Sequence, residues 1–226
     1  MSALTALTAQ NTLGVRGVHV VPPAFLRQQL EALAADMPPD ALKTGMLADA
    51  DLATTAADCI RSFGWTPLVV DPVMIATSGD RLLSVDAERV IRDRLLPLAT
   101  LVTPNLDEAA LLTGLEVRDV AQMERAAVVL LDSGAAAVLL KGGHLADETI
   151  VDLLVTPDGT RRFSHPRIRT TSTHGTGCTL SAAITAGLAQ GQGLERAVEL
   201  ALDFVVKAIA SAPGFGAGHG PVNHLA

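Results

Sequence analysis

The sequence has no tyrosine, and its aromatic residues make up only 3% of 226 positions. Platforms that stack single-stranded nucleic-acid bases are built from aromatic rings, so that class of partner is disfavoured. Basic residues are short as well. Against 24 Asp and Glu there are 17 Lys and Arg, for a formal net charge of −7. A nucleic-acid backbone or an anionic membrane rewards a basic face, and the composition argues against both as partners. The two cysteines, Cys59 and Cys178, lie far apart and form no CxxC pair. That argues against a disulfide framework or a structural zinc site, and fits reduced thiols in a cytoplasmic protein. No apolar run approaches membrane-spanning length. The opening, MSALTALTAQNTLGV, lacks the basic region of a signal peptide.

What is present suits one packed α/β domain spanning 1–226, with 49% hydrophobic residues. Helical and strand patterns alternate along the chain, which predicts βαβ units and a mainly parallel sheet. Residues 2–9, rich in Ala and Leu, read as helix, and 14–21 as a short strand or loop. Further helices are expected over 23–35, 52–63, 85–96, 106–112, 123–133, 179–190 and 194–211. Strands are expected within 41–47, 67–70, 98–103 and 136–140. A β-hairpin is expected over 150–166, around Pro157-Asp158-Gly159. The tail, PGFGAGHGPVNHLA, reads as loop. Polar and glycine signals recur where strands end, and in open α/β sheets ligands bind outside the carboxyl ends of the strands.

Four motifs carry chemistry. In HGTGCTLSAAITAGLA, His174 to Ala189, Gly175 and Gly177 let the backbone turn tightly before a helix whose free N–H groups favour an anion. Gly175, Thr176, Gly177 and Cys178 are the candidate catalytic loop. Cys178, at the helix start, is expected to have a lowered pKa and to serve as a base on an incoming hydroxyl. The plain alternative is a glycine turn with a packed cysteine. In Thr103-Pro104-Asn105-Leu106-Asp107-Glu108, Asn105 and Glu108 match a capping box. Glu108 could also stand near a hydrated Mg2+, which takes one or two carboxylates and keeps several waters. Asp71 follows a buried strand and would complete that site, or merely cap a turn. Lys141, in Lys141-Gly142-Gly143-His144, would be a point charge for nucleotide phosphate, or a solvated lysine in a glycine turn. His144 reads as a loop histidine.

Taken together and in order, these motifs resemble the hydroxymethylpyrimidine/phosphomethylpyrimidine kinases of thiamine synthesis. The markers are TALTAQNT (Thr5 to Thr12), KTGML (Lys43 to Leu47), DPVMIATSGDRLL (Asp71 to Leu83), TPNLDEA (Thr103 to Ala109), LLKGGH (Leu139 to His144), THGTGCTLSAAI (Thr173 to Ile184) and GHGPVNH (Gly218 to His224). The resemblance implies a ribokinase-like α/β/α sandwich with a mostly parallel central sheet. It implies ATP and Mg2+ as cofactors, a small-molecule substrate and a homodimer. Gln10 matches a glutamine that hydrogen-bonds the pyrimidine, and Met46 a methionine that packs on it. Gly175 to Cys178 match the anion hole, with Cys178 at the base position, where related sugar kinases carry aspartate. Lys141, Asn105 and Thr103 match the ATP side, and Asp71 and Glu108 the Mg2+ region.

The family pattern starts with a strand and a glycine-rich segment of the type GSDxSGGAGIQAD, which has no counterpart here. The sequence-level expectation is therefore a ribokinase-like domain without its first βα unit, roughly 30 residues. Either a longer product exists, or the chain dimerises through an exposed sheet edge and is weak or inactive. Two further alternatives follow from the same residues. One is a pyridoxal/pyridoxine kinase of the same fold. The other is a catalytically weak remnant that binds nucleotide.

Overall fold

The computed structural model describes residues 1–74, 83–143 and 148–226. Eight strands form two sheets among them. The smaller is an antiparallel hairpin of β1 (Ala6–Asn11) and β2 (Gly14–Val20), with an irregularity in register between Ala9 and Gln10. The larger has six strands in sequence order: β3 (Leu42–Thr44), β4 (Leu68–Val70), β5 (Leu101–Val102), β6 (Val138–Leu140), β7 (Thr149–Thr156) and β8 (Gly159–Pro166). The first four run parallel, and β7 and β8 are antiparallel additions.

The hairpin corrects the sequence expectation of a helix over 2–9. Ala and Leu are strong helix formers, but the segment pairs with Gly14–Val20, whose valines suit an extended backbone. The remaining elements lie within a few residues of their expected places. One boundary matters for chemistry. Helix α6 starts at Thr176, three residues earlier than expected, so Cys178 sits within its first turn.

Among the described residues, seven helices cover the large sheet: α1 (Pro23–Asp36), α2 (Ala50–Phe63), α3 (Val85–Val90), α4 (Leu106–Thr113), α5 (Val120–Asp132), α6 (Thr176–Ala189) and α7 (Leu194–Ala210). A π turn (Ile91–Leu95) and a 3-10 turn (Leu96–Leu98) extend α3. Successive strand residues point to opposite faces, and the core divides accordingly. Leu68, Val70, Val102, Val138, Leu140, Leu153 and Val155 pack with residues of α1 to α5. Val69, Leu101, Leu139 and Leu154 pack with Leu180 and Ile184 of α6 and with Ala197, Val198, Ala201, Leu202 and Val205 of α7. The architecture is therefore a three-layer α/β/α sandwich with two apolar cores, one on each face. No helix among the described residues is long and apolar enough to cross a membrane.

Local signals hold the helices in register. Asp49, Asn105 and Asp119 each accept a backbone N–H at the start of α2, α4 and α5, which contributes about 1 kcal/mol per cap. Gly64 and Gly114 end α2 and α4 in left-handed conformations that favour glycine. Strand β3 stands at the sheet edge and pairs only with β4 among the described residues.

Candidate active site

The parallel strands β4, β5 and β6 end side by side, and each delivers a polar residue to one point. After β4 comes Asp71, after β5 Thr103 and Asn105, and after β6 Lys141. Asp71 is 2% exposed, and three side chains converge on it. Thr103 Oγ1 donates to its Oδ1 at 3.2 Å, Lys141 Nζ to the same oxygen at 3.3 Å, and Ser181 Oγ to its Oδ2 at 3.1 Å. Lys141 Nζ also lies 3.9 Å from Glu108 Oε2. The lysine is thus no solvated turn residue. It is the counter-ion shared by two buried carboxylates.

The structure bears out the capping-box reading of the Asn105–Glu108 pair. Asn105 Oδ1 accepts from the Glu108 amide at 2.9 Å, and Glu108 Oε2 accepts from the Asn105 amide at 2.8 Å, a complete capping box. The same Glu108 faces Lys141. Burial pushes its pKa from the ordinary value of about 4.5 up to about 7, with a smaller push from Asp71; Lys141 and the Asn105 amide pull the other way. Lys141 shows the mirror effect. Burial disfavours its charge, but Asp71 and Glu108 outweigh burial and raise its pKa above the ordinary value.

Above this cluster lies the glycine loop. Gly175 caps α6 with a left-handed backbone, and no side chain caps the helix. A Cβ added at Gly177 would come within 3.2 Å of Lys141 Nζ, so the ammonium lies against the loop. The first turn of α6 and Lys141 together form a positive seat for an anion. Cys178, in that turn, is exposed. Its thiol pKa is raised rather than lowered. Desolvation within the cleft and the nearby Asp71 push it up, against the pull of Lys43 and Lys141. This runs against the expectation from the helix start alone: withdrawal from water, with Asp71 and Glu108 adding to it, disfavours the thiolate.

Thr103, expected on the nucleotide side, is 1% exposed and spends its hydroxyl on Asp71. Met46, after β3, is partly buried, and its carbonyl accepts from Thr5 Oγ1 at 2.7 Å. Gln10 is exposed on the hairpin, just past the β-irregularity, and takes no part in the hydrogen bonds of the cluster among the described residues. His144 and residues 75–82 of the DPVMIATSGDRLL marker lie outside the described residues.

Several participants went unnoticed in the sequence. Ser181 bonds Asp71 from 110 positions away, and its Oγ also lies 3.1 Å from the Cys178 carbonyl. The usable signal was its spacing of three from Cys178, one helical turn. Thr44 Oγ1, at the end of β3, is buried with no hydrogen-bond partner among the described residues. Asp152, buried in β7, accepts from the Gly142 amide at 2.8 Å and lies 3.6 Å from His165 Nε2. A Cβ at Gly142 would sit 2.0 Å from the Val151 carbonyl oxygen, so only glycine lets the loop after Lys141 pass this close to β7.

The residues present fit a nucleotide phosphate with Mg2+. Among the described residues no group of three or more His, Cys, Asp or Glu gathers as a metal cage. Mg2+ at phosphates needs only one or two carboxylates. Glu108, held by the Asn105 and Met74 amides, is one such carboxylate, and a bound cation would favour its ionised form.

The raised pKa of Glu108 has a testable sign. The folded protein keeps a proton between pH about 4.5 and about 7 that the unfolded chain releases. Stability is therefore lost as pH rises through that window. Glu108→Gln keeps the acceptor of the capping box and removes the charge. Its melting temperature is expected to exceed that of the wild type at pH 8 and to converge with it near pH 4.5. A variant less stable than wild type at pH 8, by the same margin as at pH 5, would contradict the assignment.

The sequence matches the family described as phosphomethylpyrimidine kinase over residues 1–223. It is 45% identical over 227 residues to the hydroxymethylpyrimidine/phosphomethylpyrimidine kinase of Bacillus subtilis, covering 100% of this chain and 84% of that protein. It is 48% identical over 224 residues to a thiamine biosynthesis bifunctional protein of Geobacter sulfurreducens, covering 99% of this chain and 46% of that longer protein. Among solved structures, the ADP complex of Bacillus subtilis pyridoxal kinase superposes with a TM-score of 0.92 at 34% identity, covering 99% of this chain and 85% of that one.

Proposed function

The chain belongs to the phosphomethylpyrimidine kinase family, and we propose that it performs two ATP-dependent phosphorylations in thiamine biosynthesis. The first transfers the γ-phosphoryl group to the hydroxyl of 4-amino-5-hydroxymethyl-2-methylpyrimidine. The second phosphorylates the resulting monophosphate. The observation that carries this reading is the stack of charges at the strand ends: buried Asp71 and Glu108, Lys141 between them, and the uncapped α6 turn with Cys178 above.

Each part has a chemical task. Phosphoryl transfer is chiefly positioning and charge stabilisation. The Gly175–Cys178 amides and Lys141 hold the transferring group and take up its developing charge. Asp71 and Glu108 keep Lys141 charged and in place, and Glu108 is the carboxylate that would hold Mg2+ at the phosphates. The metal, when bound, neutralises phosphate charge. The Cys178 thiolate accepts the proton of the attacking hydroxyl as its oxygen bonds to the γ-phosphorus, and the bond from that phosphorus to the bridging oxygen breaks, releasing ADP. Asn105, beside Glu108, lies toward the nucleotide side. Gln10 and Met46 are the contacts for the pyrimidine ring. A homodimer in the cytoplasm completes the reading.

A second substrate is supported by the backbone match to pyridoxal kinase. Both rings carry a hydroxymethyl arm that the same base could deprotonate. An ADP-release assay with the pyrimidine and with pyridoxine, separately and in competition, decides between them. Faster turnover of the pyrimidine is expected. ADP release independent of either ring would overturn the assignment.

A further inference from the structure

The tail after α7 touches two places that the chain keeps far apart in sequence. One is the turn of the β1–β2 hairpin. The His219 amide donates to the Thr12 carbonyl at 2.7 Å, and the Gly218 amide to Thr12 Oγ1 at 3.4 Å. Contact is close enough to require glycine. A Cβ at Gly218 would lie 2.2 Å from the Thr12 carbonyl oxygen, and one at Gly216 would lie 2.3 Å from Thr12 Oγ1. The other place is the glycine loop. The His174 amide donates to the Gly220 carbonyl at 2.9 Å, and His174 and Pro221 form a parallel bridge. His219 Nδ1 lies 3.3 Å from Thr173 Oγ1, and His224 Nε2 lies 3.1 Å from Thr179 Oγ1. Buried Val222 and the Asn223 amide, which donates to the Ala208 carbonyl at 2.9 Å, anchor the segment on α7.

Thr12 is two residues from Gln10, and Thr179 is next to Cys178. We propose that the segment 216–224 is a positioning element that ties the hairpin bearing Gln10 to the catalytic loop bearing Cys178. It rests on the reading of Gln10 as a contact to the pyrimidine. The base of the hairpin is already held, through Thr5 Oγ1 on the Met46 carbonyl. Its turn has the tail as its second point of support. Without the tail contact, the strand carrying Gln10 is fixed at one end only, and the ring it contacts is no longer held at a set distance from the base. A misplacement of about 1 Å can cost about 10²-fold in rate.

Gly218→Ala tests the tie directly, because an added Cβ would lie 2.2 Å from the Thr12 carbonyl oxygen. It is expected to raise KM for the pyrimidine about tenfold or more, with KM for ATP changed less than twofold. Amides of Leu7 to Val20 should exchange with deuterium faster in this variant. Gly214→Ala is the control: Gly214 lies in the same tail with a left-handed backbone and open space at its Cβ. It strains the tail without pressing on the hairpin, and should leave hairpin exchange and KM for the pyrimidine near wild type. Unchanged hairpin exchange in Gly218→Ala would overturn the proposal. So would an equal rise in hairpin exchange in Gly214→Ala. Hairpin exchange needs no substrate, so it tests the tie even if the pyrimidine is not turned over. A wild type inert toward the pyrimidine would defeat the functional reading alone.

Discussion

Lys141→Met is expected to lower stability more than any other single change in the site, and turnover with it. Methionine keeps the length of the side chain and removes its charge. Asp71 and Glu108 are then buried together with no counter-ion, and the Glu108 pKa rises further because its main lowering partner is gone. Breaking a buried ion pair from one side costs about 3–5 kcal/mol, roughly 6–20 °C in melting temperature for a chain of this size. Protonation of Glu108 relieves part of that cost, so the loss should be larger at pH 8 than at pH 5. Turnover should fall by about 10²–10³-fold, the usual effect of removing one group that stabilises transition-state charge. Thermal melts at two pH values and steady-state rates check both. A melting temperature within a degree of wild type, with normal turnover, would refute the shared counter-ion.

The second large effect is confined to chemistry. Cys178→Ala should reduce kcat by about 10²–10⁴-fold, the contribution of a general base. Melting should hardly change, because the side chain is exposed and fills no core volume. The raised thiol pKa adds a signature. The base must be deprotonated to act, so the wild-type rate should climb as pH increases toward and beyond the ordinary cysteine value of about 9. Alkylation by iodoacetamide should be slow at pH 7, accelerate along the same profile and be blocked by bound substrate. Cys59 is the internal control. It is 0% exposed in the core, and burial raises its pKa, so it should resist labelling in the folded protein. A Cys178→Ser variant with near-normal kcat and a lowered melting temperature would make this cysteine a packing residue.

The hairpin shows where reading by composition fails. Ala and Leu over 2–9 favour helix, but the partner strand that decides their conformation is supplied by 14–20. Local preference is a weak prior when a cross-strand partner is available. The start of α6 was misplaced for a related reason. Gly175 and Gly177 look like loop, yet Gly177 is helical because α6 packs Leu180 and Ile184 against the sheet and carries its first turn back over Lys141.

Other features were legible because their causes are local. The short apolar runs ending in Asp71, Thr103 and Lys141 are buried strands, because backbone in extended form exposes both faces to packed helices. The capping box at Asn105 is set by four consecutive residues. Parallel strands ending at one edge then place those polar residues together, which is why the order of motifs along the chain anticipates their meeting. The sequence could not say which of them touch. Lys141 meets Asp71 across 70 positions and Ser181 meets Asp71 across 110. The direction of the Cys178 shift also depends on those contacts, since a helix start alone lowers a thiol pKa and a buried carboxylate beside it raises it. Such terms depend on distance and on exclusion of water, and neither exists until β4, β5, β6 and α6 have packed.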